Sequence, residues 1–390
     1  MRYDPPPFLF LARLRVLVFS SVDDSPHPRL GEMDMGKSSR AGFHHMCMKL
    51  TVPALLGIAA FGQTRSGTLQ EARFEITHAE TLQNLHGIGD AIRAVTGVRV
   101  LSLDEARRSL AIRGTAEQLA AADWVAGQLD QPISRVGEGA AEYRVTRVNA
   151  LGQPVDEVLR LIRTRHVTKA LDLVELAGAI QTVAKIRCAT YVASGVMILR
   201  GTPEELRLSE WLASELDQPF DTLRAGKSEY RGGPEDVTSV YRLTNTESPG
   251  DVQEIVRALD TPASWLSGHR VFAYNPGRAI LVRSDSRQLA RTSAADEIAI
   301  TDWLVKQLDQ PPATTSYTSE DYRVPAGNEF VHVYHLTNRE TMWQLRNAAE
   351  QAFGKGRGRV SSVDIARAVV VYGDAEALAT AERVKRQIEP

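Results

Sequence analysis

Leu-Asp-Gln-Pro occurs at 129–132, 216–219 and 308–311, and the chain closes on Ile388-Glu389-Pro390. Counting back from the acidic residue of each ending fixes a frame. Gly114, Gly201 and Gly373 each stand 16 residues before it. They sit in Leu-Ala-Ile-Arg-Gly-Thr-Ala-Glu-Gln-Leu, Met-Ile-Leu-Arg-Gly-Thr-Pro-Glu-Glu-Leu and Val-Val-Val-Tyr-Gly-Asp-Ala-Glu-Ala-Leu. A further copy at Ala279–Ser284 carries nine extra residues before its ending. Internal repetition at this spacing predicts one supersecondary unit used four times.

The chemistry of the string is structural. An apolar run ending in Gly and then Thr or Asp reads as a strand, a tight turn and a helix N-cap. Thr115 with Gln118, and Thr202 with Glu205, have capping-box spacing, and Pro203 suits the first helical position. The helix that follows keeps Leu119, Ala122, Val125 and Leu129 on one face, with Leu206, Leu212 and Leu216 repeating the pattern. The closing Pro stops it.

Each unit also has a front half. Phe74-Glu-Ile-Thr, Tyr143-Arg-Val-Thr, Tyr241-Arg-Leu-Thr and Tyr334-His-Leu-Thr alternate apolar and polar, as a strand buried on one face does. An amphipathic helix follows, with Leu82, Leu85, Ile88, Ile92 and Val95 in the first unit and Val252, Ile255, Val256 and Leu259 in the third. Leu259-Asp260-Thr261-Pro262 imitates a unit ending but closes this first helix. Val98-Arg99-Val100-Leu101 then leads into the Gly-terminated strand. The expected fold is α+β: four tandem small βαββα domains at 72–132, 143–219, 240–311 and 330–390, each a short mixed sheet with helices on one face. The segments 133–142, 220–239 and 312–329 read as exposed linkers. About 15 extra residues near Arg163–Ala184 predict an added helix in the second unit.

Ahead of the repeats, Met48-Lys49-Leu50 opens an uncharged run to Phe61, and Ala60-Phe61-Gly62 offers small residues before Gln63. This describes a signal peptide over 48–62. It is short of the roughly 20 residues needed to span a bilayer. Residues 1–47 then read as an over-extended or disordered leader. Other readings are that 48–61 is a buried segment, or that Phe8–Phe19 is the export signal. Cys47 leaves with the leader, so Cys188 remains as a lone thiol and a small strand hydrophobe.

The unit order, the Arg-Gly-Thr-x-Glu-x-Leu string and the Leu-Asp-Gln-Pro ending resemble the periplasmic N-domains of bacterial secretins, NolW-like modules of KH-like βαββα fold. The resemblance covers about 72–390. It implies an exported, non-enzymatic scaffold with envelope proteins or further copies of itself as partners, of the kind found in type II and III secretion and type IV pilus-like systems. A secretin gate and barrel would need roughly 200 further residues rich in alternating strands, and the chain ends at the fourth unit, so only the modules carry over.

Other functions find less support. Lys+Arg 46 against Asp+Glu 48 gives a charge of −2, without the basic excess of a dedicated nucleic-acid binder. Gly354–Arg359 is basic but lacks the Gly-x-x-Gly spacing of a KH loop. Gly87-Ile88-Gly89 lies inside a helix pattern rather than between strand and helix, which a dinucleotide site requires. His332 and His335 stand three apart on a strand and face opposite sides, so they do not chelate together. No string of a hydrolase, metalloprotease or P-loop is present. No catalytic residue, cofactor or metal is expected, although an exported enzyme assembled from distant residues and a KH-like nucleic-acid binder are the competing classes.

Trp124, Trp211 and Trp303 each stand six residues before the Asp of a unit ending. At about 100° per residue, Trp124 points roughly 150° away from the face of Leu119, Ala122, Val125, Ala126 and Leu129. A ring so placed needs another surface. A linker or neighbouring module covers it, or the three rings form a partner or self-assembly surface.

Overall fold

The computed structural model describes residues 68–389, except 138–141, 150, 220–223, 264–268, 286–292, 314, 325–327 and 354–357. The leader and the signal-peptide segment lie outside the described residues, as does most of the Gly354–Arg359 turn. The described chain is α+β, with eight α-helices and four small sheets.

The first block runs β1 (Gln70–Glu75), α1 (Leu82–Thr96), β2 (Arg99–Asp104), β3 (Ser109–Gly114) and α2 (Ala116–Leu129). The second runs β4 (Glu142–Val148), β5 (Pro154–Arg163), α3 (Ala170–Ala184), β6 (Arg187–Tyr191), β7 (Val196–Gly201) and α4 (Pro203–Leu216). The third has β8 (Gly226–Gly233), β9 (Asp236–Arg242), α5 (Pro249–Ala263), β10 (His269–Tyr274), β11 (Ala279–Asp285) and α6 (Ala294–Leu308). The fourth has β12 (Tyr317–Thr318), β13 (Tyr322–Arg323), β14 (Glu329–His335), α7 (Arg339–Phe353), β15 (Gly358–Val363), β16 (Ala368–Asp374) and α8 (Ala375–Ile388).

Several expectations need correction. The sheets are antiparallel throughout the described pairings, not mixed. The segments read as linkers are partly strands: β8 lies wholly within 220–239, and β12 and β13 within 312–329. Each pairs onto the outer edge of the first core strand of its block, giving the orders β4-β5-β7-β6, β10-β11-β9-β8 and β12-β14-β16-β15. In the second block Tyr143-Arg-Val-Thr belongs to this added edge strand. The core first strand is β5, and α3 is the regular first helix, so the extra residues add a strand and not a helix. The string Leu259–Pro262 forms the last turn of α5, which ends at Ala263, as expected.

The foreseen capping boxes form. Thr115 and Thr202 accept from the N–H of Gln118 and Glu205, whose side chains reach back to the cap N–H. Ser293 with Asp296 supplies a third. The Asp of Leu-Asp-Gln-Pro has a separate task. It sits at the C-cap, and its carboxylate accepts backbone N–H bonds from the turn between the first core strand and first helix of its own block. Asp130 takes those of Thr77 and His78 at 2.8 and 2.6 Å. Asp217 takes those of Arg165, His166 and Val167 at 2.6, 2.8 and 2.8 Å. Asp309 takes those of Thr244 and Asn245 at 2.7 and 2.8 Å. The ending thus staples the last helix to the first turn.

The helices do not stay on one face of isolated sheets. Leu85, Ile88 and Leu119 share a core with Leu161, Tyr191 and Ile198 of the second sheet. Leu173, Leu176 and Leu212 share one with Val240, Tyr274 and Leu281 of the third. Ile255, Leu259 and Leu304 share one with Val331, Val333 and Val370 of the fourth. Each inner sheet is therefore covered on one face by its own helices and on the other by the helix layer before it. The core around Leu345, Phe353 and Val369 is built from the fourth block alone.

Cys188 lies on β6, packed at the edge of the second core. Burial pushes its thiol up to about 12. Since the thiolate is the reactive form, Cys188 is expected to resist Ellman's reagent at pH 8 in the native protein and to react fully in denaturant. Rapid native labelling would contradict that burial.

Candidate interaction surface

The chemistry-bearing side chains converge on the joints between blocks. Trp124 on α2 lies with its ring centroid 5.7 Å from that of Tyr143 on β4. Trp211 on α4 stands 5.5 Å from Tyr230 on β8, and Trp303 on α6 stands 5.4 Å from Tyr322 on β13. The ring planes are tilted by 30°, 38° and 44°. Each Trp is half-buried, and each packs against an edge strand that precedes the core strands of the next block. Every Tyr follows its Trp by 19 residues, a spacing legible in the sequence. Trp211→Ser is expected to lower stability by about 1–3 kcal/mol through lost aromatic packing, read as an earlier urea midpoint.

A second contact recurs beside the rings. The C-terminal carbonyls of a first helix have no partners within the helix, and the next sheet supplies them. Arg200 on β7 donates Nη1–H to the carbonyl of Val95 at 2.9 Å. Arg283 and Arg270 donate to the carbonyl of Val183 at 2.9 and 3.1 Å. Cations at a helix C-terminus also meet the negative end of its dipole. Both Arg200 and Arg283 are buried, and each is anchored by an acidic residue of its own sheet. Glu157 accepts from Arg200 Nε at 2.7 Å, and Asp236 accepts two bonds from Arg283 at 2.8 Å. At the last joint Tyr372 stands in the place of the Arg but bonds farther back along the helix, donating its hydroxyl to the carbonyl of Ala258, the tenth residue of α5, at 2.9 Å.

A third contact comes from the sixth residue of the first helix. Glu175 accepts from the backbone and side-chain N–H groups of Asn275 at 2.6 and 2.8 Å, and Glu254 accepts from the N–H of Asp364 at 2.8 Å. Burial raises the pKa of both carboxyls, against the opposing pull of these bonds. In α1 the sixth residue is Gly87, whose missing side chain leaves room for the ring of Tyr191, 3.4 Å from where a Cβ would stand. The glycines of Gly87-Ile88-Gly89 thus lie within a helix, one of them at a joint. His332 stacks on Tyr334 and His335 on Tyr317, at 4.9 and 4.4 Å.

Among the described residues, no group of three or more His, Cys, Asp or Glu side chains could hold a metal ion. None of the described helices is long and apolar enough to cross a membrane.

No family model matches this chain. No curated protein matches it either. Among solved structures, it is similar to the N-terminal domain of the secretin XcpQ from Pseudomonas aeruginosa, at 13% identity and TM-score 0.20, over 62% of this chain and 100% of that one. It is similar to ExeD of Aeromonas hydrophila at 11% identity and TM-score 0.15, over 78% of this chain and 59% of that one. In the ETEC pilotin–secretin AspS–GspD complex the match has 15% identity and TM-score 0.14, over 60% of this chain and 38% of that one.

Proposed function

We propose that this chain is an exported, non-enzymatic envelope scaffold made of four secretin-type N-domain modules of KH-like βαββα pattern, serving a secretion or pilus-like system. The observation that carries the reading is the joint. Three successive module pairs are held by a shared apolar core, a Trp–Tyr contact and a polar bond from the next sheet to the preceding first helix. Such joints hold the modules in fixed register, which suits a strut that displays surfaces to protein partners. The Arg-Gly-Thr and Leu-Asp-Gln-Pro strings support the module type, and the apolar run from Met48 supports export. Trp124, Trp211 and Trp303 serve the strut as its internal contacts in this reading.

Two measurements test it. N-terminal sequencing of the protein from the envelope fraction should give a start near Gln63; an intact residue 1 in the cytoplasm would refute export. Crosslinking in intact cells, read by mass spectrometry, should capture envelope proteins. Crosslinks confined to cytoplasmic enzymes or nucleic-acid proteins would refute the scaffold.

A further inference from the structure

The four first helices have the same length of 15 residues, so their positions correspond one to one. So do the sheets: Arg187 pairs with Arg200 and Arg270 with Arg283, and Arg99 pairs with Arg113 in the first sheet. In the second and third blocks an arginine of this pair binds the end of the preceding helix. In the first block Arg99 and Arg113 stand exposed on the face that no described helix covers.

The other end of the chain carries the complementary surface. The tenth residue of the first helix is Ala in all four blocks. Ala91, Ala179 and Ala258 are fully buried, and at Ala258 the backbone comes near enough to the next sheet to accept the Tyr372 hydroxyl. Ala348 of α7 keeps the small side chain yet is only half-buried. The sixth residue of α7 is Gln344, exposed, where α3 and α5 carry the glutamates that accept N–H bonds from the next block's turn. Its amide oxygen can accept the same bond. Lacking a charge, it is compatible with Glu105, which opens the corresponding turn of the first block.

We propose that the open face of the first sheet receives α7 of a second copy of this chain, head to tail, in the geometry that joins successive blocks within it. Arg99 and Arg113 bind the carbonyls at the C-terminal end of α7, and Ala348 lies against the sheet. The contact is weaker than the internal joints. Where the second sheet presents Leu161 and Ile198 to the helix, the first presents Arg73 and Ala111, so less apolar surface leaves water. The association is heterologous, and it extends unless its rotation closes a ring. It does not depend on the envelope reading.

Sedimentation velocity of the purified full chain over a wide concentration range tests this. The weight-average mass is expected to rise with concentration to about twofold the protomer mass or beyond. Arg99→Glu/Arg113→Glu destroys the acceptor face, and Ala348→Arg destroys the donor face; each variant alone is expected to stay monomeric. Both changes lie on exposed or half-exposed positions, and unchanged thermal scans verify the fold; Ala348→Leu, which still blocks close approach of the helix to the sheet, replaces Ala348→Arg if its scan shifts. An equimolar mixture of the two variants retains one working acceptor and one working donor, so it should form a heterodimer and stop there. A wild type that is monomeric throughout, association that survives either change, or a mixture that stays monomeric would each overturn the proposal.

Discussion

Replacing Arg283 with Ala is expected to cost about 3–5 kcal/mol of stability, whereas Arg113→Ala, at the corresponding position of the first sheet, should cost less than about 0.5 kcal/mol. Arg283 is buried with only 7% of its side chain exposed, and its partner Asp236 with 9%. Truncation removes both bonds that Arg283 makes to the buried Asp236 carboxylate and a donor from the carbonyl of Val183. Arg113 holds the same place in its strand but faces solvent, so removing it leaves no buried charge behind. Urea denaturation of both variants provides the comparison. Equal effects would mean that the joint contributes nothing and that the residue matters only within its own sheet.

Asp217→Ala is expected to be nearly as severe. Three backbone N–H groups of one turn converge on its carboxylate. Hydrogen bonds to charged groups contribute about 1.5–3 kcal/mol each, but three donors sharing one side chain do not add fully. A loss of about 3 kcal/mol is the reasonable expectation. Asp217→Asn keeps one oxygen acceptor and should lose about half as much, because its amide can still serve part of the turn. Should the Ala and Asn variants unfold at the wild-type midpoint, the acidic residue of the ending would be no more than a helix stop.

The sequence disclosed the parts of the fold that depend on local chemistry. Thr115–Gln118 and Thr202–Glu205 are cap signals because a hydroxyl and an amide or carboxylate three residues apart can satisfy two orphan donors. Gly201 was legible for a similar reason: a Cβ there would stand 2.7 Å from Ile186, so the turn tolerates little else. The added edge strands were harder to see. Gly226-Lys-Ser-Glu-Tyr-Arg-Gly-Gly lies at a sheet edge with most of its residues exposed or half-buried, and Tyr230 is its one large apolar side chain, so the sequence shows almost no alternation. In the second block Tyr143-Arg-Val-Thr is the cleaner alternating string, whereas the true first strand β5 interleaves Asp156, Glu157, Arg160 and Arg163 with its apolar residues and so shows neither clean alternation nor an apolar run. The joints have no local sequence signal because their partners are far apart in the chain. The Arg of Arg-Gly-Thr looked like an ordinary strand residue, although Arg200 reaches back 105 residues to Val95. The Trp phase was informative in itself: it required another surface for each ring, and Tyr143, Tyr230 and Tyr322 provide one.

The central claim is that the connecting segments are structural members of the joints and not tethers between independent domains. Native-state hydrogen exchange on β8 tests it most directly, because Gly226–Gly233 pairs along β9 while Tyr230 meets Trp211 of the preceding block. The amides of β8 that bond to β9 should exchange with protection close to that of the β9–β11 ladder, and Trp211→Ser should weaken both together. Exchange of the β8 amides at the rate of an unstructured peptide, with β9–β11 fully protected, would show a flexible connector and contradict the account.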